Sequence, residues 1–196
     1  MIRRKKLLPV RVTVVLIGLT AAAAHLCHHV HALQRQEPAE PAIAVAQDRF
    51  RTESAEAGII AMNQKRAALD SDRLRIVLTA RKYLGTPYVY GAKYGQTDTF
   101  DCSSFAKTVF AEHGMELPRV SRDQAKLGEP VERDDLSVGD LVFFATDETH
   151  GVIGHVGIYT GSGRMIHTYG DGGVKYSRID SGYWEERYVT ARRLLK

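Results

Sequence analysis

Gly139-Asp140-Leu141-Val142-Phe143-Phe144-Ala145 divides the C-terminal part of this chain into two kinds of sequence. A Gly-Asp turn signal leads into an apolar, aromatic run too short for a helix, which reads as a buried strand. Four more strand-like segments follow, at residues 155–160, 164–169, 174–179 and 188–194. Before the turn the periodicity is helical. Ser71 is placed to cap a helix carrying Leu74, Val77, Leu78 and Leu84, stopped by Gly85 and Pro87. A second helix starts at Cys102, turns Phe105, Val109 and Phe110 inward, and stops at Gly114. Ser121 and Gln124 have the spacing of a capping box for a third, ended by Gly128. Helices first and strands afterwards predict an α+β domain, with N-terminal helices packed on a central antiparallel sheet.

Outward from this domain, residues 71–196 are enough for one hydrophobic core. Residues 33–70 open with the polar, proline-bearing Gln34-Arg35-Gln36-Glu37-Pro38 and pass into an Ala/Glu/Arg-rich stretch, helical around 49–69; they read as a tether. Residues 1–32 have the architecture of a cleavable signal peptide: Arg3, Arg4, Lys5 and Lys6, an apolar run from Val12 to Ala24, and Val30-His31-Ala32. That run is shorter than the roughly 20 residues of a membrane span, so the expectation is export to the periplasm, envelope or exterior without stable membrane insertion after cleavage. Cys27 follows Leu26, a poor lipidation signal. The cluster His25, Cys27, His28, His29 and His31 falls in the tail of the segment to be removed, so no metal site is assigned to it.

The formal charge is +4, from 27 basic and 23 acidic residues. Five of the basic residues lie in the first 32, where there are no acids, which leaves 22 against 23 from Leu33 onward. The remainder is nearly neutral, and this removes the case for nucleic acid, which needs a basic patch to neutralise phosphates.

After cleavage Cys102 is the one cysteine left. A lone thiol in an exported protein is a reactive group, an intermolecular link or an inert buried side chain. Its position at a helix start favours the thiolate, because unpaired backbone N–H groups and the helix dipole stabilise negative charge there. A free thiol titrates near ~8.5, and a helix terminus or a cationic imidazole would lower that value. His155 and His167 lie on successive strands. A three-residue connection drawn from Thr160 to Gly163 pairs odd positions with odd and puts both rings on one face, whereas a two-residue turn separates them. With the odd loop, His155 is the base towards Cys102 and His167 its orienter. His113 and His150 have no such support and read as a helix-end and a loop residue.

The ordered segments Leu84-Gly85-Thr86-Pro87-Tyr88-Val89-Tyr90-Gly91, Asp101-Cys102-Ser103, Leu117-Pro118-Arg119, Gly139–Phe144, His155-Val156-Gly157-Ile158-Tyr159 and Met165-Ile166-His167 together resemble the NlpC family of papain-like cell-wall cysteine peptidases, from about Ser71 to the end. The resemblance implies a papain-like fold and a cysteine endopeptidase without cofactor or metal, cutting peptidoglycan stem peptides, commonly between D-glutamate and a diamino acid, as a monomer. It implies Cys102 as nucleophile, His155 as base and His167 as orienter. Tyr88 would reach the thiol and help the oxyanion, and Asp101 and Ser103 would help hold the stem. Their simpler roles are a half-buried aromatic at a strand edge and a helix cap. Ser121 borders the pocket in relatives, although capping alone accounts for it.

Three departures from the family pattern stand out. Ser104 and Ala92 replace glycines, and the segment leading to Cys102 is about two residues longer. Each is a place where the cleft would narrow or substrate choice shift. The competing functions are an amidase or acyltransferase with the same thiol chemistry, and a non-catalytic wall-binding module. Intact Cys102, His155 and His167 argue against the last.

Overall fold

The computed structural model describes residues 40–195; the signal-peptide reading, Cys27 and the histidines around it lie outside those residues. The chain divides into two units, residues 1–58 and residues 59–196. The described part of the first unit is helical.

Helix α1 runs from Glu40 to Arg81 without a break. Ser71 therefore lies inside a helix and caps nothing, because residues 59–81 contain neither Gly nor Pro and are rich in strong helix formers. Near its end the helix buries Ile76, Thr79 and Ala80, while Leu74 and Leu78 face out, each 54% exposed. The expected inward face is thus rotated. Helix α2, Cys102–Ala111, buries Phe105, Ala106, Val109 and Phe110. Each fully buried phenylalanine contributes about 2–3 kcal/mol of apolar transfer. Helix α3 is one turn, Ser121–Gln124; its N-cap is Val120 and no side chain caps it. Ser121 is the first helical residue, and Gln124 is fully buried, where its amide donates to the carbonyls of Ser103 and Pro118 at 2.9 Å. The capping-box spacing thus marks a buried tie to α2.

Six strands follow: β1 Glu129–Val131, β2 Leu141–Ala145, β3 Ile153–Gly161, β4 Arg164–Thr168, β5 Val174–Arg178 and β6 Tyr188–Arg193. They form one antiparallel sheet in the order β1-β6-β2-β3-β4-β5. The three-residue β1, with Pro130 at its centre, is an edge strand of a kind periodicity does not reveal. Helix α4, Gly182–Glu186, is also too short for a periodic signal.

The sheet has two dressed faces. Leu141, Phe143, Val156, Ile158 and Ile166 pack with the α1 and α2 residues in the main core. Val142, Phe144, Met165 and Ala191 point the other way, into a second cluster closed by Ile179 and Trp184. Ile158 pairs with Ile166 and Tyr159 with Met165, after which the register shifts and Gly161 pairs with Arg164. Ser162 and Gly163, at φ +50° and +68°, make a tight two-residue turn. That turn alone would split the two histidines between faces; the register shift at Thr160 adds one residue and restores the odd-to-odd pairing.

Candidate active site

The backbone builds the site around the start of α2. Val89 N–H donates to Phe100 O at 2.8 Å and Phe100 N–H to Pro87 O at 3.0 Å, which holds Tyr88 beside the residues leading into Cys102. The longer segment between them is closed by Gln96, whose side-chain oxygen accepts from Asp98 N–H and Thr99 N–H at 2.8 and 3.0 Å. Asp101 is the N-cap of α2. Its carboxylate accepts from Ser104 N–H at 2.7 Å, and Ser104 Oγ accepts from Asp101 N–H at 3.0 Å. Ser104 is 1% exposed and turned back on the cap, so it does not narrow the cleft as its replacement of glycine led one to expect. Ala92 is also buried, with its carbonyl committed to Arg119.

Arg119 has no role legible in the sequence, and it is central to this cap. Its guanidinium donates to both Asp101 oxygens at 3.2 and 2.5 Å, to Ser103 Oγ at 3.0 Å and to Ala92 O at 2.5 Å. Ser103 Oγ in turn donates to Asp101 at 3.1 Å. Asp101 and Ser103 are thus buried and fully engaged with protein partners.

Cys102 is a free cysteine at the first position of α2. Its sulfur lies 3.9 Å from Gly154 O, the carbonyl just before His155, and backbone N–H groups of Val156 and Ser103 favour its anion. These do not win. Burial first, and then the Asp101 carboxylate, push the thiol up to about 11, opposite to the lowering expected from its helix position.

His155 and His167 are both fully buried, and the structure brings them together: His155 Nε2 lies 2.8 Å from His167 Nδ1. His167 Nε2 lies 2.8 Å from Ser177 Oγ on β5. His155 Nδ1 is buried without a hydrogen-bond partner among the described residues. Burial holds both imidazoles well below their ordinary range, His167 at about 3, with the neighbouring Lys175 charge acting the same way. The Trp184 indole stacks on the His155 ring at 4.5 Å between centroids, with Phe144 and Tyr169 on other sides. Neither Ser177 nor Trp184 was singled out from sequence; the strand parity of Ser177 with His167 was the available signal, and Trp184 left none.

Tyr88 is half-buried, 5.9 Å from Tyr169 ring to ring. Burial, then the negative charge of Cys102 and Asp101, push its phenol up to about 12, so it stays a hydrogen-bond donor. Tyr169 donates to the Glu148 carboxylate at 3.2 Å. His113 bonds Thr79 Oγ1 at 2.9 Å just past α2, and His150 is exposed in the β2–β3 loop at φ +50°. Among the described residues, no three His, Cys, Asp or Glu side chains are grouped to hold a metal.

Helices packed on an antiparallel sheet, with a helix-borne thiol against the strand that carries a histidine, define the papain-like class. Within it, residues 85–193 match the NlpC/P60 family, and the chain belongs to that family. It is 39% identical over 119 residues to a gamma-D-glutamyl-L-lysine dipeptidyl-peptidase of Bacillus subtilis, covering 60% of this chain and 40% of that protein. It is 42% identical over 96 residues to the murein DD-endopeptidase MepS/murein LD-carboxypeptidase of Escherichia coli, covering 48% and 50%. The chain spans about two fifths of the first of these relatives. Among solved structures, an NlpC/P60 family protein from Bacillus cereus superposes with a TM-score of 0.59 at 34% identity, covering 63% of this chain and 40% of that one. The NlpC/p60 domain of the peptidoglycan hydrolase SagA superposes at 0.54 with 29% identity, covering 62% and 98%.

Proposed function

We propose that this chain is an exported cysteine endopeptidase that hydrolyses peptidoglycan stem peptides between D-glutamate and a diamino acid. The relatives named as peptidoglycan peptidases support the substrate class. The observation that carries the mechanism is the orphaned His155 Nδ1, on the strand against which the Cys102 sulfur rests.

The tautomers follow from that role. For Nδ1 to accept the thiol proton, His155 must carry its own proton on Nε2 and donate it to His167 Nδ1; His167 then donates from Nε2 to Ser177 Oγ. The resting site is a neutral thiol beside neutral imidazoles. As sulfur bonds to the scissile carbonyl carbon, its proton passes to His155 Nδ1. The oxyanion forms at the N-terminus of α2, within reach of backbone N–H groups and the protonated Tyr88 hydroxyl. Collapse breaks the C–N bond while His155 returns its proton to the leaving amine. Water, deprotonated by His155, then adds to the thioester carbon; the C–S bond breaks and His155 returns the proton to the departing sulfur, which restores the resting site. His167 and Ser177 hold the ring orientation, and stacking on Trp184 favours the transient imidazolium.

Among the described residues no helix is long and apolar enough to cross a membrane, so export here rests on the N-terminal reading. The test is incubation of the full chain with purified stem peptides, followed by mass spectrometry. Wild type should release fragments with the mass of one added water, and Cys102→Ser should release none while keeping its circular dichroism. A product heavier by an acyl group indicates transfer, and full activity in Cys102→Ser ends the thiol mechanism.

A further inference from the structure

Behind the histidine pair lies a cavity of about 220 Å³ lined by His167, Tyr169, Lys175, Ser177, Tyr183 and Trp184. It is several times the roughly 30 Å³ that one water occupies in the liquid. Strand register explains the lining. Lys175 is the cross-strand partner of His167, so both point to the same face, and Ser177 follows two residues on. Trp184 and Tyr183, from α4, cover that face.

Three polar groups in this lining have hydrogens to donate. Lys175 Nζ donates to Asp171 O at 2.6 Å and forms no ion pair with a carboxylate among the described residues, so two of its three N–H bonds remain. In the tautomer assigned above, Ser177 Oγ accepts a hydrogen bond from His167 Nε2–H, which leaves its own hydrogen to donate elsewhere. The Tyr183 hydroxyl is buried beside the Tyr169 hydroxyl, which it holds protonated, and it meets no carboxylate in the cavity lining. Tyr169 has already given its hydrogen to Glu148.

An ammonium, a serine hydroxyl and a phenol, in a lining that holds no carboxylate, are the complement of an oxyanion. We propose that this cavity binds a single carboxylate, held by Lys175, Ser177 and Tyr183. Its source is either a carboxylate on the substrate, reached along Tyr169 from Tyr88, or a free solute anion. The substrate alternative and the donor role of Ser177 rest on the function proposed above; the Lys175 ammonium and the Tyr183 hydroxyl do not. Bound negative charge would offset the Lys175 charge that both imidazoles feel, and so couples occupancy to the relay.

Trp184 is the chain's one tryptophan and lines the cavity, so its fluorescence reports on it directly. Acetate titrated into the full protein at constant ionic strength should give a saturable signal that acetamide does not. Lys175→Met should weaken it at least tenfold, and Lys175→Arg, which keeps charge and bulk, should retain it. The second arm compares kcat/KM on two stem peptides differing only in a carboxylate or carboxamide on the diamino residue. A tenfold preference for the carboxylate that Lys175→Met abolishes assigns the site to the substrate, with or without an acetate signal. Saturable acetate binding without that preference assigns it to a solute anion. A flat acetate titration, together with equal effects of Lys175→Met on both stems, overturns the proposal. Acetate binding in a protein that hydrolyses neither stem keeps the cavity site and sinks the peptidase reading.

Discussion

Acidification should destabilise this protein through the two imidazoles that it buries uncharged. An unfolded histidine titrates near ~6.5, whereas folded His167 titrates at about 3 and His155 is also held well below the ordinary range. The unfolded chain therefore binds more protons than the fold between these limits, and stability must rise with pH across the window. The contribution is complete above about 6.5 and is lost as pH falls towards the folded value. A histidine that stays neutral in the fold from pH ~7 to pH ~5 forfeits about 2 kcal/mol over that interval, so the pair forfeits about 4. His167→Asn, which preserves a polar partner for His155, should halve the loss. The assay is urea unfolding of both proteins at the two pH values, with folding free energies taken by linear extrapolation. Other histidines are present in both proteins and cancel in the comparison. A wild-type stability that does not change between these pH values, or a variant that loses as much as wild type, refutes the argument. Either result would mean that His167 takes up its proton in the fold over the same pH range as in the unfolded chain.

Alkylation of Cys102 by iodoacetamide should be slow at neutral pH and rise about tenfold per pH unit up to about 11, the value to which burial pushes the thiol; a plateau near neutrality would contradict a neutral resting thiol. Arg119→Met leaves the buried Asp101 without its cation. Because the guanidinium is 36% exposed, the cost expected for a broken buried pair is discounted to about 2 kcal/mol, a fall in Tm of roughly 7 °C by calorimetry. Asp101→Asn in the same protein should recover part of it. Ser104→Gly removes the hydroxyl that satisfies Asp101 N–H and should cost about 1 kcal/mol in urea unfolding without altering preference among stem peptides. A changed preference would put Ser104 in the cleft after all.

Much of this architecture was legible in local pattern. The switch at Gly139-Asp140, five of the six strands and the inner face of α2 are carried by side-chain periodicity, which a short window of residues contains whole. The alignment of His155 with His167 was legible only on the condition of an odd connection: the observed turn has two residues, and the register shift at Thr160 supplies the missing one. A backbone irregularity of one residue has no dependable signature in composition. Ser71 and Ser121 show the opposite failure. Both have the chemistry of caps, but continuous helix-forming sequence overrode the first and a buried tie from Gln124 explains the second.

What the chain determines by itself, then, is which residues are available and on which face or helix end each stands, since those follow from spacings of two and of 3.6 residues along a backbone. Only the tertiary structure decides what state they are in. Desolvation and charge act through space: burial raises the Cys102 thiol despite its helix terminus and silences two imidazoles. Arg119 neutralises an Asp101 that lies 18 positions away, and Trp184 and Lys175 arrive from later elements to stack on one ring and face another. None of these depends on sequence distance, so none is written in any local window.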